Sequence, residues 1–348
     1  MRPERVRFGI LGCADIARRR TIPAMLREPG AELVAVASRS AATAREFTTL
    51  FGNEAVEGYG SLVERTDIDA LYIPLPAGLH HEWILRALNA GKHVLAEKPL
   101  TTNYQDTVEA VEIARSRGLT LMENLTYTYH GMHATVRELV ATGTVGELRT
   151  VSAAFAIPPL RDGDIRYRPE LGGGSLADNG IYPLSAALLH LGPELDVVGA
   201  ALKRAAQHSV DVAGNALLST PSGQTATVTF GFEHSYLCQY VLWGSEGRVV
   251  VDRAYTPPPT LRPTIRVEQQ DTTWERTLAA EDQFAHCLRA FVRSVAGTAP
   301  DLPGTATADL LRRARLMDRV RSRARILSAT PEHRSRTPPS AGHGRRSE

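Results

Sequence analysis

Cysteine is scarce in this chain of 348 residues: Cys13, Cys238 and Cys287 lie far apart and none belongs to a C-x-x-C pair. That spacing excludes a disulfide framework and a zinc site built on paired thiolates, and it suits a reducing cytoplasm. An excess of charge is missing too. Forty basic side chains stand against 38 acidic ones, for a formal net charge of +2, and part of the basic excess falls in the final segment. Nothing here resembles the basic footprint of a nucleic-acid-binding protein. Long apolar runs are absent as well. None approaches the roughly 18 to 20 residues that span a bilayer, and the opening "MRPERVRFGILG" enters a strand pattern too early to leave room for a leader peptide. The expectation is a soluble cytoplasmic protein without membrane or nucleic-acid partners.

What the chain does contain is, up to about residue 125, an alternation of short apolar runs with helical patterns. "VRFGILG", "ELVAVASR", "ALYIPL", "HVLAE" and "TLMEN" are separated by segments such as "HHEWILRALNAG" and "NYQDTVEAVEIARSRG". Strands apolar on both faces and spaced by helices predict a doubly wound parallel sheet. Beyond a bridging helix the texture becomes β-branched ("LRTVSAAFAI", "ATVTFGFEH", "YVLWG", "RVVVD", "TIRVEQQ"), which predicts a second α/β domain on a large open, mainly antiparallel sheet. The division expected is 1–125 for the first domain and 126–327 for the second, with the last helices able to pack back on the first. Residues 328–348, rich in Pro, Ser and Arg, are expected to be disordered. The solvent face of an open sheet favours a homodimer or homotetramer formed through it.

The first strand, turn and helix, "FGILGCADIA", put Gly12, Ala14 and Ala17 at the positions of a dinucleotide-binding fingerprint, with alanine where the second glycine usually stands. Pyrophosphate would rest on the amides of the helix N-terminus. The second strand ends "AVASRS", offering Ser38 and Arg39 where an NAD-binding site usually has an acid, and a hydroxyl beside a guanidinium suits a 2′-phosphate. NADP(H) is therefore expected rather than NAD(H).

In "HVLAEKPL" Lys98 lies just past the carboxyl end of a strand, where open α/β sheets bind ligands, and Pro99 restricts its backbone. Burial near a nicotinamide would lower the lysine pKa and Glu97 would oppose that shift; on the tripeptide alone, a surface ion pair is an equal reading. "GGGSLADNGIYPL" then sets Asp178, Tyr182 and Ser185 near one helix face, so that a phenol and a carboxylate can converge on the same spot as the lysine. His80 and His81 open a helix without ligand spacing to any further histidine or carboxylate, so no metal is expected.

Taken in order, "GILGCADIA", "VASR", "LPAGLHHEW", "GKHVLAEKPL" and "GGGSLADNGIYPL" resemble the Gfo/Idh/MocA oxidoreductases. Within them, "LMENLTYTYHGMH", "IRYRPELGGGS", "FGFEHSY" and "DRAYTPPPT" are most similar to the NADPH-dependent C-3 ketoreductases that act on dTDP-linked 3-keto deoxysugars. The resemblance implies that Lys98 donates the proton to the C-3 oxygen and that Tyr182 hydrogen-bonds the sugar. It implies that Gly12, Cys13, Ala14, Asp15 and Ile16 form the pyrophosphate turn, and that Tyr59, Leu75, His80 and Glu97 surround the rest of the cofactor. Arg166 and Asp178 would reach its nicotinamide end, and Tyr236 and Thr256 would lie over the nucleotide sugar. Two alternatives stay open: an NADP-dependent dehydrogenase of a free sugar, inositol or cyclic diol, and a non-catalytic NADP-sensing regulator.

Overall fold

The run "VRFGIL" is buried at all but one position, as a central parallel strand covered on both faces must be, and it forms β1 (Val6–Leu11). The computed structural model describes residues 5–205, 207–298 and 307–328; of the segment 328–348, expected to be disordered, Ser328 instead ends a strand and residues 329–348 lie outside the described ones. Around β1 gather β2 (Ala31–Ser38), β3 (Glu54–Glu57), β4 (Ala70–Ile73), β5 (His93–Ala96) and β6 (Leu121–Glu123), all parallel, in the order β3-β2-β1-β4-β5-β6. The strand order reverses between β1 and β4. That switch point opens a crevice at the carboxyl ends, where ligands of such sheets bind.

Helices α1 (Ile22–Arg27), α2 (Ala41–Thr49), α3 (Tyr59–Val63), α4 (His80–Asn89) and α5 (Tyr104–Ser116) cover this sheet. Asn103 caps α5 by accepting from the Asp106 amide at 2.9 Å, which satisfies one of the orphan donors of the first turn. After α6 (Gly131–Ala141) and β7 (Leu148–Ala156), α7 (Ile181–Leu191) precedes the rest of a second sheet. Its strands are β8 (Asp196–Arg204), β9 (Asp211–Ser219), β10 (Thr225–Gly231), β11 (Leu237–Gly244), β12 (Arg248–Asp252), β13 (Thr264–Gln269) and β14 (Thr272–Thr277). With the final β15 (Ala324–Ser328) the order is β14-β13-β12-β11-β7-β10-β9-β8-β15. Only β7 with β10 and β8 with β15 pair parallel, so the sheet is mixed and mainly antiparallel, as anticipated. The final strand was not anticipated: the sequence reading carried a helix up to the tail, whereas Ile326 and Leu327 extend the sheet edge.

The second core lies between this sheet and α7, with Leu184, Phe230, Tyr240 and Leu242 all but sealed from solvent. The last helices return to the first half of the chain. Phe291 of α8 (Gln283–Val295) meets Phe8 with ring centroids 5.6 Å apart, and burying each ring contributes about 1.5–3 kcal/mol. Leu310 of α9 (Thr307–Arg323) joins the core beneath α4 and α5, while Leu316, Met317 and Val320 of the same helix join the second core. Among the described residues, no helix is long and apolar enough to cross a membrane.

Candidate active site

A cleft of about 630 Å³ runs from the β1 turn to the mouth of the second sheet. Gly12 opens it with a φ of 111°, and a Cβ there would come within 2.9 Å of the Leu75 side chain; both facts reserve the position for glycine. Cys13, Ala14, Asp15 and Ile16 continue the wall into a helical run that passes through a π turn, Ala17–Thr21, into α1. Asp15 is itself held by Arg18 at 2.8 Å and Arg19 at 2.5 Å. Tyr59 and Leu75 face the cleft from α3 and from the loop after β4. Ser38 and Arg39 stand outside its lining, at the end of β2: the Ser38 hydroxyl caps the Ser40 amide at 3.4 Å, and burial pushes the Tyr59 phenol up while Arg39 pulls it back. A constricted glycine turn, a helix start beside it and a hydroxyl–guanidinium pair at the next strand end together fit a dinucleotide carrying a 2′-phosphate.

Glu97 and Lys98 follow β5 directly, ahead of a cis Lys98–Pro99 peptide. Glu97 is fixed by three elements at once: its Oε1 accepts from the Tyr72 hydroxyl at 2.7 Å and from the Asn124 amide at 2.6 Å, and Tyr72 in turn accepts from Thr21 at 2.9 Å. The Lys98 ammonium points the other way, donating to the Asp178 carboxylate at 2.6 Å and to the Asp178 carbonyl at 2.8 Å. Burial lowers the affinity of Lys98 for its proton, but the charge and hydrogen bond of Asp178, with help from Tyr182 and Glu97, outweigh it and raise the pKa. The sequence offered Glu97 as the charge opposing burial; in the structure Asp178 takes that part and Glu97 contributes least, and the outcome is a firmly charged lysine. Asp178 is the complement: burial raises its carboxyl, Lys98 and Arg166 lower it, and the net shift is downward. Arg166 lies on the short helical turn Ile165–Tyr167, 3.2 Å from Asp178 through Nε.

Asp178 is presented by a π turn, Leu176–Gly180, that leads into α7. Asp211 at the start of β9 anchors this turn by accepting from the Leu176 amide at 2.6 Å and the Ser175 hydroxyl at 2.7 Å. The preceding glycines let the second half approach the first: a Cβ on Gly172 would lie 2.5 Å from the Gly78 amide nitrogen. One turn past Asp178, Tyr182 packs its ring on Phe155, Tyr255 and Tyr127 at centroid distances of 5.1, 5.5 and 5.9 Å, with the Lys98 ammonium 5.2 Å above it. Burial pushes its phenol up to about 12, with Lys98 opposing the shift.

The structure therefore gathers Gly12, Cys13, Ala14, Asp15, Ile16, Tyr59, Leu75, Glu97, Lys98, Arg166, Asp178, Tyr182 and Thr256 around one cleft. It does not bring in His80. That ring is buried behind the wall, with Nδ1 2.8 Å from the Pro99 carbonyl and Nε2 2.7 Å from the Leu75 carbonyl, so it braces two loops and does not face the space where a cofactor fits. Ser185, grouped with Tyr182 in the sequence, turns instead to a groove between α7 and α9. Tyr236 stands at the rim, its hydroxyl 3.2 Å from that of Thr256. Asn124, Thr126, Phe155 and Ile157 also line the cleft and were not anticipated. Asn124 carried a signal, a polar side chain directly after β6 at the same sheet end as Lys98.

A parallel dinucleotide-binding sheet, a second sheet that completes the cleft, and a lysine at their junction define an oxidoreductase. The chain belongs to the Gfo/Idh/MocA family: residues 6–125 match its oxidoreductase family, NAD-binding Rossmann fold, and residues 133–250 match the GFO/IDH/MocA C-terminal domain. It is 49% identical over 329 residues to the dTDP-3,4-didehydro-2,6-dideoxy-alpha-D-glucose 3-reductase of Streptomyces antibioticus, covering 94% of this chain and 99% of that one. Identity to the enzyme of that name from Actinomadura kijaniata is also 49%, over 92% of this chain and 96% of the other. The crystal structure of KijD10, a 3-ketoreductase from Actinomadura kijaniata in complex with NADP and TDP-benzene, superposes with a TM-score of 0.91 at 48% identity, over 94% of this chain and all of that one.

Proposed function

We propose that this protein reduces the C-3 keto group of a dTDP-linked 3-keto or 3,4-diketo deoxysugar with NADPH. The observation that carries the reading is the convergence of a charged Lys98 and a neutral Tyr182 at the inner end of a cleft that begins at the Gly12 turn. The 3-reductases that resemble the chain along nearly its whole length supply the substrate class. Gly12 to Ile16 would hold the cofactor's pyrophosphate, Ser38 and Arg39 its 2′-phosphate, and Tyr59, Leu75, Glu97, Arg166 and Asp178 the remainder; bound NADPH supplies the hydride that C-3 receives. An ammonium has three N–H donors and Asp178 occupies two, which leaves one for the ketone oxygen. As charge develops on that oxygen, Lys98 transfers a proton to it. Transfer is downhill even from a lysine of raised pKa, because an alkoxide is about as basic as hydroxide, the conjugate base of water with pKa about 15.7. Tyr182 donates a second hydrogen bond to the same oxygen and stays protonated at neutral pH. Tyr236 and Thr256 would contact the nucleotide part of the substrate.

The same reading places the protein in the cytoplasm, in the making of deoxysugars for antibiotic-type products. It divides the chain at 1–125 and 126–327, and it assembles copies through the exposed face of the second sheet. There Val198, Leu217 and Trp243 stand exposed beside Thr227 and Ser152. The test is NADPH oxidation at 340 nm with an enzymatically generated dTDP-3,4-diketo-2,6-dideoxyglucose. Turnover with that substrate and none with free sugars, inositol or cyclic diols supports the reading. Tight NADPH binding with no turnover on any of these compounds would sink it in favour of a cofactor-sensing regulator.

A further inference from the structure

In the reaction proposed for this cleft Tyr182 donates to the ketone oxygen, yet among the described residues no hydrogen bond holds its hydroxyl. Its direction is therefore set by what its ring rests on. The nearest ring, Phe155 at 5.1 Å, lines the cleft itself, whereas Tyr255 at 5.5 Å and Tyr127 at 5.9 Å stand behind the wall and are sealed from solvent. Those two meet edge to face. Their centroids are 5.2 Å apart with planes at 86°, an arrangement that aromatic quadrupoles favour and that dense packing holds in place.

Tyr255 is the more firmly anchored. Its hydroxyl donates to the Gln239 carbonyl at 3.3 Å, its amide to the Cys238 sulfur at 3.3 Å, and its carbonyl accepts from the Gln283 side chain at 3.1 Å. One residue earlier, the Ala254 carbonyl lies 3.0 Å from His133 Nε2. A carbonyl can only accept, so that nitrogen carries the proton and Nδ1 is left to accept from the Tyr240 hydroxyl at 2.8 Å. Strand β11 and helices α6 and α8 thus fix a ring that lies outside the cleft.

We propose that Tyr255, braced by Tyr127, is a positioning residue that aims the Tyr182 phenol at the oxygen beside the Lys98 ammonium; this assignment rests on the part Tyr182 takes in the 3-ketoreductase reading. A hydrogen bond weakens steeply when its donor is misdirected, so a phenol free to swing between rotamers would spend much of its time away from the ketone. The buried ring removes that freedom before substrate arrives.

A double-mutant cycle tests the assignment: single-turnover oxidation of NADPH by dTDP-3,4-diketo-2,6-dideoxyglucose in the native protein, Tyr255→Leu, Tyr182→Phe and the double variant. Tyr255→Leu should slow the step about tenfold, the worth of one well-aimed hydrogen bond to a developing charge, while KM and the NADP⁺ dissociation constant stay within about twofold. In the Tyr182→Phe background there is no hydroxyl to aim. The same substitution should there slow the step by less than about twofold, a coupling that a merely structural role would not produce. Tyr255→Phe keeps the ring and should hold the native rate. Should Tyr255→Leu not fold, Tyr127→Leu completes the same cycle with the same outcomes. Equal fractional losses in the two backgrounds would overturn the assignment and leave the ketoreductase reading standing. No turnover by the native protein would overturn both.

Discussion

Lys98 draws its charge from a neighbour 80 positions along the chain. Removing the lysine should lower kcat by about 100-fold or more, the scale of a lost general acid, with the NADPH dissociation constant moving only a few-fold; single-turnover kinetics and fluorescence titration of Lys98→Ala check both. Tyr182→Phe removes one donor but no charge, so a loss of about 10- to 100-fold in kcat/KM is expected. The pH profile carries a sharper test. With Lys98 raised and Tyr182 pushed up to about 12, reduction should hold a plateau from neutrality well into the alkaline range. Asp178→Asn removes the main opposing charge, so burial then dominates at Lys98 and its pKa falls. The alkaline limb of kcat should accordingly move to lower pH in that variant; a limb that stays in place would show that Asp178 does not set the lysine's charge.

At the scale of elements, the clearest coupling is the buried ion pair between Arg313 of α9 and Glu123 of β6, at 2.8 Å, whose other carboxylate oxygen accepts from the Leu100 amide at 2.7 Å. The loop bearing Lys98 is thereby tied to a helix from the far end of the chain. Removing one member of a buried pair typically costs about 3–5 kcal/mol, so Arg313→Met should lower the thermal midpoint markedly, and adding Glu123→Gln should recover part of the loss. Nothing in the sequence announces this pair, because its members lie 190 positions apart. The strands that were legible, such as "VRFGIL" and "RVVVD", are β-branched and buried. Those that were not are β3, β8, β9, β14 and β15: "DVVGAALKR" and "DVAGNALLS" each interrupt their apolar pattern with three alanine or glycine residues, and "TTWERT" is a polar edge, so pairing and not propensity makes them strands. The π turns before α1 and α7 were equally invisible, since a single inserted residue leaves the helical pattern intact. The site was readable where one element carries its signal, as at Gly12 and Lys98. It was unreadable where carbonyls from two loops converge, as on His80.

Over the whole molecule, the solvent face of the second sheet mixes exposed apolar side chains (Val198, Leu217, Trp243) with polar and charged ones, Arg248 standing directly across from Trp243. Trp243 is 59% exposed, more than a large aromatic side chain in a strand commonly is. If copies pair through this face, Trp243→Glu should shift the native species to a smaller one in light scattering while leaving NADPH binding intact. Native protein that already runs as a monomer would exclude the assembly. The contact of Lys98 with Asp178 has one more consequence. The lysine belongs to the first sheet and its counter-charge to a turn anchored on the second, so the working acid is joint property of two parts of the gene. A cofactor-binding half recombined with a foreign partner would inherit a pocket for the dinucleotide but no means of keeping its lysine charged. New substrates in such a lineage are therefore reached by altering the second half around a preserved aspartate, not by exchanging that half wholesale.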